Sequence, residues 1–451
     1  MPSLSLDIIL ILGIAGTGVF ALAVWRPVLC LSLTLAAYLF VGQLKAFIPI
    51  SVTAAAAALP VFALLGSLLR GNKPRLGPAE AIMIATGAIL ALSVRYSLSP
   101  GYGTAKALVF CGMVVPLVVA LPSVLRSPAA LRKMMRVLTV TLVVYVGTSL
   151  VLAGSAQEVG GRISALMDVT AAGQFLGLAL LVLVVRAMDA SLGSGVRIVL
   201  GGLAVVAFVL MIRTGTRAPF VAVVGSLGFL LWYGRDWMRR HLRIDALRGA
   251  RYLLVFTLSL VVGYAVVSTV VSSDILSRYS SYGALFSNFT GSGTGVSDGR
   301  AFNYALAIKG FAANPWLGVG AGGYRALLLP FLPVYSFGVA EGAPLYPHNL
   351  ILEFAVELGS IGLALVFGLL YLVFRGLFRL RAKMNARNGF DIIVYAAFFI
   401  YGLGVSMTAL DISRMVILWW GCGLVLASEA VFVGRRKKVP ARPRVPIGAV
   451  S

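Results

Sequence analysis

Apolar stretches long enough to cross a membrane recur from one end of this chain to the other. A helix needs about 20 consecutive apolar residues to span the hydrocarbon core of a bilayer. Of the 451 residues, 60% are hydrophobic and 12% are charged, against about 25% charged in a typical soluble domain. This composition excludes a soluble globular domain and a disordered chain. It predicts an all-α polytopic integral membrane protein, with residues 1–451 forming a single membrane domain.

The hydropathy pattern predicts thirteen candidate spans, or twelve if two of the first three merge or one is re-entrant. The second candidate is short, and Trp25-Arg26-Pro27 is a tight connection before it. The first has an acidic residue, Asp7, at its flank and lacks a small-residue cleavage site after it, so it is predicted to be a retained span. The candidates cover residues 6–24, 27–43, 51–70, 79–96, 104–121, 134–153, 170–187, 197–213, 217–234, 252–272, 358–376, 391–409 and 415–433.

Basic residues are concentrated in alternate connections between these spans. The connections that begin at Arg70, Arg126, Arg186, Arg235 and Arg375, together with the tail 434–451, hold 26 of the 38 Lys and Arg residues. The positive-inside rule predicts that these connections and the tail are cytoplasmic. The net charge of +23 is therefore interpreted as a topology signal with some attraction to membrane lipids, and no nucleic-acid partner is predicted.

The opposite face carries the longest connection, residues 273–357, which is predicted to be a large outer loop with short helices and the active site. The positive-inside rule disfavours basic residues on this face, so those present there need a reason. They are Lys45, Arg95, Lys106, Arg162, Arg213, Arg217, Arg278, Arg300, Lys309, Arg325 and Arg414.

Arginines on this face are candidates for binding phosphate groups. Arg213 ends one predicted span and Arg217 begins the next, with a glycine between them. Guanidinium groups match phosphate oxygens in pairs of hydrogen bonds, although interfacial snorkelling explains the same pattern. Arg162 lies in an outer loop that leads into a span, and Arg300 lies in the first turn of a predicted amphipathic helix. The glycine-rich run 318–323 is a further, weaker candidate for a phosphate cradle.

His348 is one of only two histidines in the chain, and it precedes a helix that enters a span. A structural, hydrogen-bonded role is the simplest interpretation of a lone histidine. On the same face as several arginines, however, an imidazole suits general-base chemistry on a lipid-linked polyanion. Glu353 and Glu357 share a helix face that does not point at His348, so a structural or cation-pairing role is equally compatible with their spacing.

Neither a metal ion nor a cofactor is predicted. The outer face has no second histidine, and its acidic residues are scattered along the chain. Cys30, Cys111 and Cys422 lie inside apolar segments and show neither a disulfide framework nor metal-ligand spacing.

Three stretches resemble the O-antigen ligase and polymerase superfamily of bacterial envelope glycosyltransferases. His348-Asn349 is followed by nine residues and then Gly359-x-x-Gly362, which resembles the ligase pattern. The stretch 297–324 is similar to the family's segment with an arginine followed by Asn-Pro-hydrophobic-Leu-Gly-x-Gly, and 212–222 looks like its small-residue turn with arginines. One departure is Leu363-Ala364, where some ligases have threonines.

The resemblance implies a glycosyltransferase of the bacterial inner membrane. Members transfer a glycan from undecaprenyl pyrophosphate on the periplasmic face, without a metal, and ligases use lipid A–core oligosaccharide as the acceptor. The family's catalytic histidine corresponds to His348, and its pyrophosphate-binding arginines correspond to Arg213, Arg217 and Arg300, with Arg162 as a weaker correspondence.

Two alternatives remain open at this point. An O-antigen polymerase of the same superfamily has an arginine, ten residues and a glycine in two outer loops, a spacing that Arg162…Gly173 and Arg217…Gly228 both satisfy. A flippase or transporter of lipid-linked glycans is disfavoured, because transporters place charges at mid-span and the predicted span centres here are largely uncharged.

Overall fold

The computed structural model describes residues 18–19, 21–40, 52–153, 169–242, 299–331, 345–408 and 411–434. These residues form helices, and no β-strand occurs among them. Within the same ranges, eight helices are long and apolar enough to cross a membrane, and three shorter apolar helices accompany them. The chain is therefore a polytopic helical membrane protein, as the sequence predicts.

Thirteen helices in the described ranges position the candidate site. In chain order they are α1 (Pro27–Leu39), α2 (Val52–Leu69), α3 (Pro78–Ser93), α4 (Pro100–Val124), α5 (Pro128–Ala153), α6 (Val169–Ala187), α7 (Ser194–Arg213), α8 (Arg217–Leu242), α9 (Gly299–Ala313), α10 (Tyr324–Leu328), α11 (Leu350–Arg381), α12 (Gly389–Ser406) and α13 (Val416–Phe432).

Most predicted spans coincide with these helices. Eleven of the thirteen candidates overlap α1–α8 or α11–α13. The candidate at 6–24 lies mostly, and the one at 252–272 wholly, outside the described residues, so the total number of spans stays a prediction. Helix α11 begins at Leu350, before the predicted span at 358–376.

Several helices are apolar on the outside of the bundle as well as inside. Val151 on α5 is 76% exposed, and Ile198 and Val205 on α7 are 74% and 63% exposed. A helix that is apolar all round belongs in a hydrophobic core or a membrane. Because these side chains face outward, lipid is the environment that suits them.

Contacts between helix ends divide the connections into two groups. At one end, Arg186 Nη2 pairs with Asp391 Oδ1 at 2.7 Å, and Arg381 Nη2 pairs with Asp236 Oδ2 at 2.7 Å. We call this the basic end; it comprises the described parts of the connections at 70–78, 124–128, 186–194, 235–242 and 375–389.

The other end of the bundle is called the histidine end. It comprises residues 93–100, 213–217, 299–331, 345–350 and 406–416. The predicted alternation of the connections is thus visible in how the helices pack. The assignment of the histidine end to the periplasm stays a prediction.

Candidate active site at the histidine end

His348 has an unusual backbone conformation. Its φ is +60°, and it is the only non-glycine residue with a positive φ among the described residues. This left-handed region is uncommon for residues with a side chain, and histidine is among those found there more often. The half-buried imidazole lies against Tyr346, with 4.4 Å between the ring centroids. Strain of this kind is often retained at functional sites.

Asn349, directly after the histidine, caps the start of α11. Its Oδ1 accepts hydrogen bonds from the amides of Ile351 and Leu352 at 3.0 and 3.1 Å, which satisfies two of the unpaired donors of the first turn. Its Nδ2 donates to the carbonyl oxygen of Met407 at 3.4 Å. The His-Asn pair thus fixes where the helix starts and ties that start to the end of α12.

Helix α9 also contacts the end of α12. The Tyr304 hydroxyl donates to the Met407 carbonyl at 3.2 Å, so one carbonyl oxygen joins α9, α11 and the end of α12. Arg300 lies in the first turn of α9, four residues before Tyr304, as the sequence predicts. Arg162 lies outside the described residues, and its role stays a prediction.

Arg213 and Arg217 flank a tight turn between α7 and α8. Gly215 has a φ of +64°, and the hydroxyl oxygens of Thr214 and Thr216 lie 2.6 Å apart. The turn packs on α6, where a Cβ at Gly173 would lie 2.1 Å from Thr216 Oγ1. The turn therefore has a fixed shape and presents two half-buried arginines at one end of adjacent helices.

The arginine turn and His348 lie at the same end of the bundle. Helices α8 and α12 pack closely, since a Cβ on Gly404 would lie 3.2 Å from the Cβ of Ala222. Ala222 is five residues from Arg217, and Gly404 is three residues from Met407, so at about 1.5 Å per residue both helix ends lie at a similar level. The two arginines, the start of α9 and His348 therefore lie at one common end, as the sequence predicts.

A buried charge cluster lies beneath this site. Lys106 Nζ on α4 lies 2.5 Å from Glu353 Oε1, 2.6 Å from Glu357 Oε2 and 3.4 Å from Asp411 Oδ2. All four side chains are at most 1% exposed. The cation-pairing role that the sequence left open for the two glutamates is therefore correct. The sequence marks Lys106 as a basic residue on this face but carries no local signal for its partners.

Asp411 anchors the turn that follows α12. Its Oδ1 accepts from the amide and hydroxyl of Ser413 at 2.7 and 2.6 Å, and its Oδ2 accepts from the Tyr102 hydroxyl at 2.7 Å. Burial acts to raise the pKa of Asp411, but Lys106 and these hydrogen bonds hold it below its ordinary value. The Ile412 amide donates to Glu353 Oε2 at 3.2 Å. The cluster therefore couples α4, α11 and the 411–413 turn.

The glycine-rich run 318–323 has a packing role. The amides of Val319 and Gly320 donate to the carbonyls of Val356 and Glu357 at 2.8 and 2.9 Å. A Cβ on Gly318 would lie 2.4 Å from the Glu357 carbonyl carbon, and Gly318 has a φ of +68°. Because the protein itself uses these amides, the suggestion that the run cradles a phosphate is not supported.

The Gly359-x-x-Gly362 motif packs against the Asn-Pro turn that follows α9. Gly359 interrupts α11 with φ +64° and ψ −152°, and a Cβ there would lie 2.3 Å from the Trp316 carbonyl oxygen. The Ser360 hydroxyl donates to the Pro315 carbonyl at 2.7 Å. A Cβ on Gly362 would meet the Phe354 carbonyl at 2.6 Å. Two motifs that are separate in the sequence are thus complementary parts of one contact.

Replacing Gly359 with alanine is expected to destabilise the protein by about 1–3 kcal/mol, because the observed φ and ψ are nearly restricted to glycine. The added methyl group would also meet the Trp316 carbonyl. Thermal unfolding of the purified protein measures the effect. Gly228→Ala on α8 is the matched control, since no atom lies within 4 Å of its added Cβ. Equal unfolding temperatures for the two variants would contradict this account of the motif.

The comparison with known proteins fits these contacts. Residues 202–367 match a family model described as O-antigen ligase. This range includes the arginine turn, α9, the glycine-rich run, His348 and the Gly359-x-x-Gly362 motif, and it confirms the resemblance identified in the sequence. No curated protein matches the chain.

Proposed function

We propose that this chain is a member of the O-antigen ligase superfamily, whose family model matches residues 202–367, and that it transfers O-antigen polysaccharide from undecaprenyl pyrophosphate to lipid A–core oligosaccharide. The transfer takes place on the periplasmic face of the bacterial inner membrane. The observation that carries the proposal is the meeting of α9 and α11 at the Met407 carbonyl, directly beside His348. The arginine turn at the same end supplies two further cations.

In the proposed reaction, a hydroxyl group of the acceptor attacks the anomeric carbon of the glycan. The bond between that carbon and the pyrophosphate oxygen breaks, and undecaprenyl pyrophosphate leaves with the bonding electrons. His348 takes the proton of the attacking hydroxyl. A single displacement of this kind inverts the anomeric configuration, and the step requires neither a metal nor a nucleotide sugar.

The arginines bind and neutralise the pyrophosphate in this scheme. Arg213 and Arg217 contribute from the α7–α8 turn and Arg300 from the start of α9, and Arg162 is included on the sequence resemblance alone. Stabilising the charge that develops on a leaving group is a large term in catalysis. The fixed turn around Gly215 supports this role, because a rigid scaffold aims its side chains with little reorganisation.

Lipopolysaccharide from a strain that lacks this protein tests the function. The expected result is lipid A–core without O-antigen, together with accumulated undecaprenyl-pyrophosphate-linked polymer. Core capped with a single repeat unit would indicate the polymerase instead. Purified protein should form the linked product from lipid-linked donor and lipid A–core, with and without EDTA. Failure to form it would favour a transporter, and loss of activity in EDTA would contradict the metal-independent step.

Substituting lysine at Arg213, Arg217 or Arg300 is expected to lower transfer about 10- to 100-fold. A charged hydrogen bond contributes about 1.5–3 kcal/mol, and an ammonium group keeps the charge but loses the paired guanidinium contacts. Initial rates at several donor concentrations measure the effect. Arg197→Lys is the control, because Arg197 lies at the start of α7, away from the histidine end. Full activity in all three variants would remove the arginines from the mechanism.

A further inference from the structure

A cationic cavity lies at the basic end of the bundle, away from His348. It has a volume of about 280 Å³ and lies where the start of α1, the end of α2 and the start of α5 come together. Four cations line it, and no acidic residue does so among the described residues. These cations are Arg26, Arg70, Arg126 and Lys133.

Arginine side chains hold the walls of this cavity in place. Arg70 Nη2 donates to the Trp25 carbonyl at 2.5 Å, which ties the end of α2 to the start of α1. Arg126 Nε donates to the Ser123 carbonyl at 2.7 Å, and its Nη2 donates to the Lys73 carbonyl. A guanidinium group has five N–H donors, so the bond to Trp25 uses only part of the capacity of Arg70. Two of the four cations, Arg70 and Arg126, are therefore held in place by hydrogen bonds to backbone carbonyls around the cavity.

The sequence around the cavity is poor in carboxylates. Between Asp7 and Glu158 the chain contains one acidic residue, Glu80, and its carboxylate accepts a hydrogen bond from the Gly77 amide at 2.9 Å. Burial and the neighbouring Arg75 both lower the pKa of Arg126. Since like charges gathered in one cavity repel each other, a bound anion would stabilise this part of the fold.

The surroundings of the cavity fit a lipid. Trp25 lines it and is 73% exposed, and Leu69, next to Arg70, is 65% exposed. Exposed tryptophan is typical of the membrane–water interface. Basic pockets between membrane helices recognise phospholipid headgroups. We propose that this cavity binds the headgroup of a phospholipid with two phosphodiester groups, whose two negative charges meet four cations while its acyl chains lie along the exposed apolar side chains.

Lipid-dependent thermal stability of the full-length protein in detergent tests this site. The probes are tetraoleoyl cardiolipin with two phosphodiesters, dioleoyl phosphatidylglycerol with one negative charge, dioleoyl phosphatidylcholine with no net charge, and inorganic phosphate. Cardiolipin should raise the unfolding temperature most, and the increase should diminish with added salt. Equal stabilisation by phosphatidylcholine, or by inorganic phosphate, would overturn the proposal.

Substitutions of the cavity's cations test whether cardiolipin binds at this cavity. Arg26→Gln and Lys133→Gln should each weaken cardiolipin binding about fivefold, since a basic residue near a membrane surface contributes about 1 kcal/mol. Arg26→Lys and Lys133→Arg should retain most of the affinity. Lys383→Gln is the matched control, because Lys383 lies at the basic end but does not line the cavity. Retained lipid, counted by native mass spectrometry, provides a readout that does not depend on unfolding. An equal loss of binding in Lys383→Gln would indicate diffuse attraction and would refute a defined site.

Discussion

Replacing His348 with asparagine is expected to lower glycan transfer about 10²- to 10⁴-fold, the usual effect of losing a general base. Asparagine is the informative substitution because it tolerates the left-handed conformation that this position requires. Its amide cannot accept a proton near neutral pH, so the variant removes the base and keeps the backbone. His348→Ala should lose at least as much activity. Single-turnover rates with bound donor measure the chemical step.

His241 provides the matched control for this experiment. It is the other histidine of the chain, and its ring stacks on Trp237 at the basic end, with 5.4 Å between the ring centroids. His241→Asn should transfer glycan at the wild-type rate. Donor binding should be unchanged in His348→Asn, because the arginines hold the pyrophosphate. Near-normal turnover in His348→Asn would exclude the general-base role.

Replacing Lys106 with methionine is expected to destabilise the protein by about 3–5 kcal/mol. Methionine fills a similar volume but leaves Glu353, Glu357 and Asp411 buried without their cation. Removing one partner of a buried ion pair is strongly unfavourable for this reason. The thermal unfolding temperature of the purified protein measures the change. Lys309→Met on α9, where the lysine is exposed, is the control and should be nearly neutral.

A compensating variant distinguishes charge from packing in the Lys106 cluster. Adding Glu353→Gln and Glu357→Gln to Lys106→Met removes two of the buried charges and should recover part of the lost stability. If the triple variant were no more stable than Lys106→Met alone, uncompensated charge would not be the cause. If Lys106→Met were as stable as the wild-type protein, the stabilising role of the cluster would be refuted.

Most of the described membrane helices, and the end of the bundle at which their connections lie, follow from the sequence. Hydropathy over about 20 residues is a local property, so helices such as α6, α7 and α12 coincide with predicted spans. The charge of each connection is local as well, and with alternation of the spans it placed Arg213, Arg217 and His348 at one common end. The motifs that carry the family resemblance are short and therefore local too, and residues 202–367 match the O-antigen ligase family model.

Only the tertiary structure decided which of these residues are partners. Lys106 meets Glu353 and Glu357 across 247 and 251 residues of chain, and no local pattern encodes a contact at that separation. The same holds for the glycines. Their spacing suggested a phosphate cradle at 318–323, whereas in the fold Gly318 lies against α11, and Gly320 and Gly322 lie against residues 93–103. A glycine in the sequence indicates a sharp turn or a close approach to another backbone. Which backbone it approaches depends on how the helices pack.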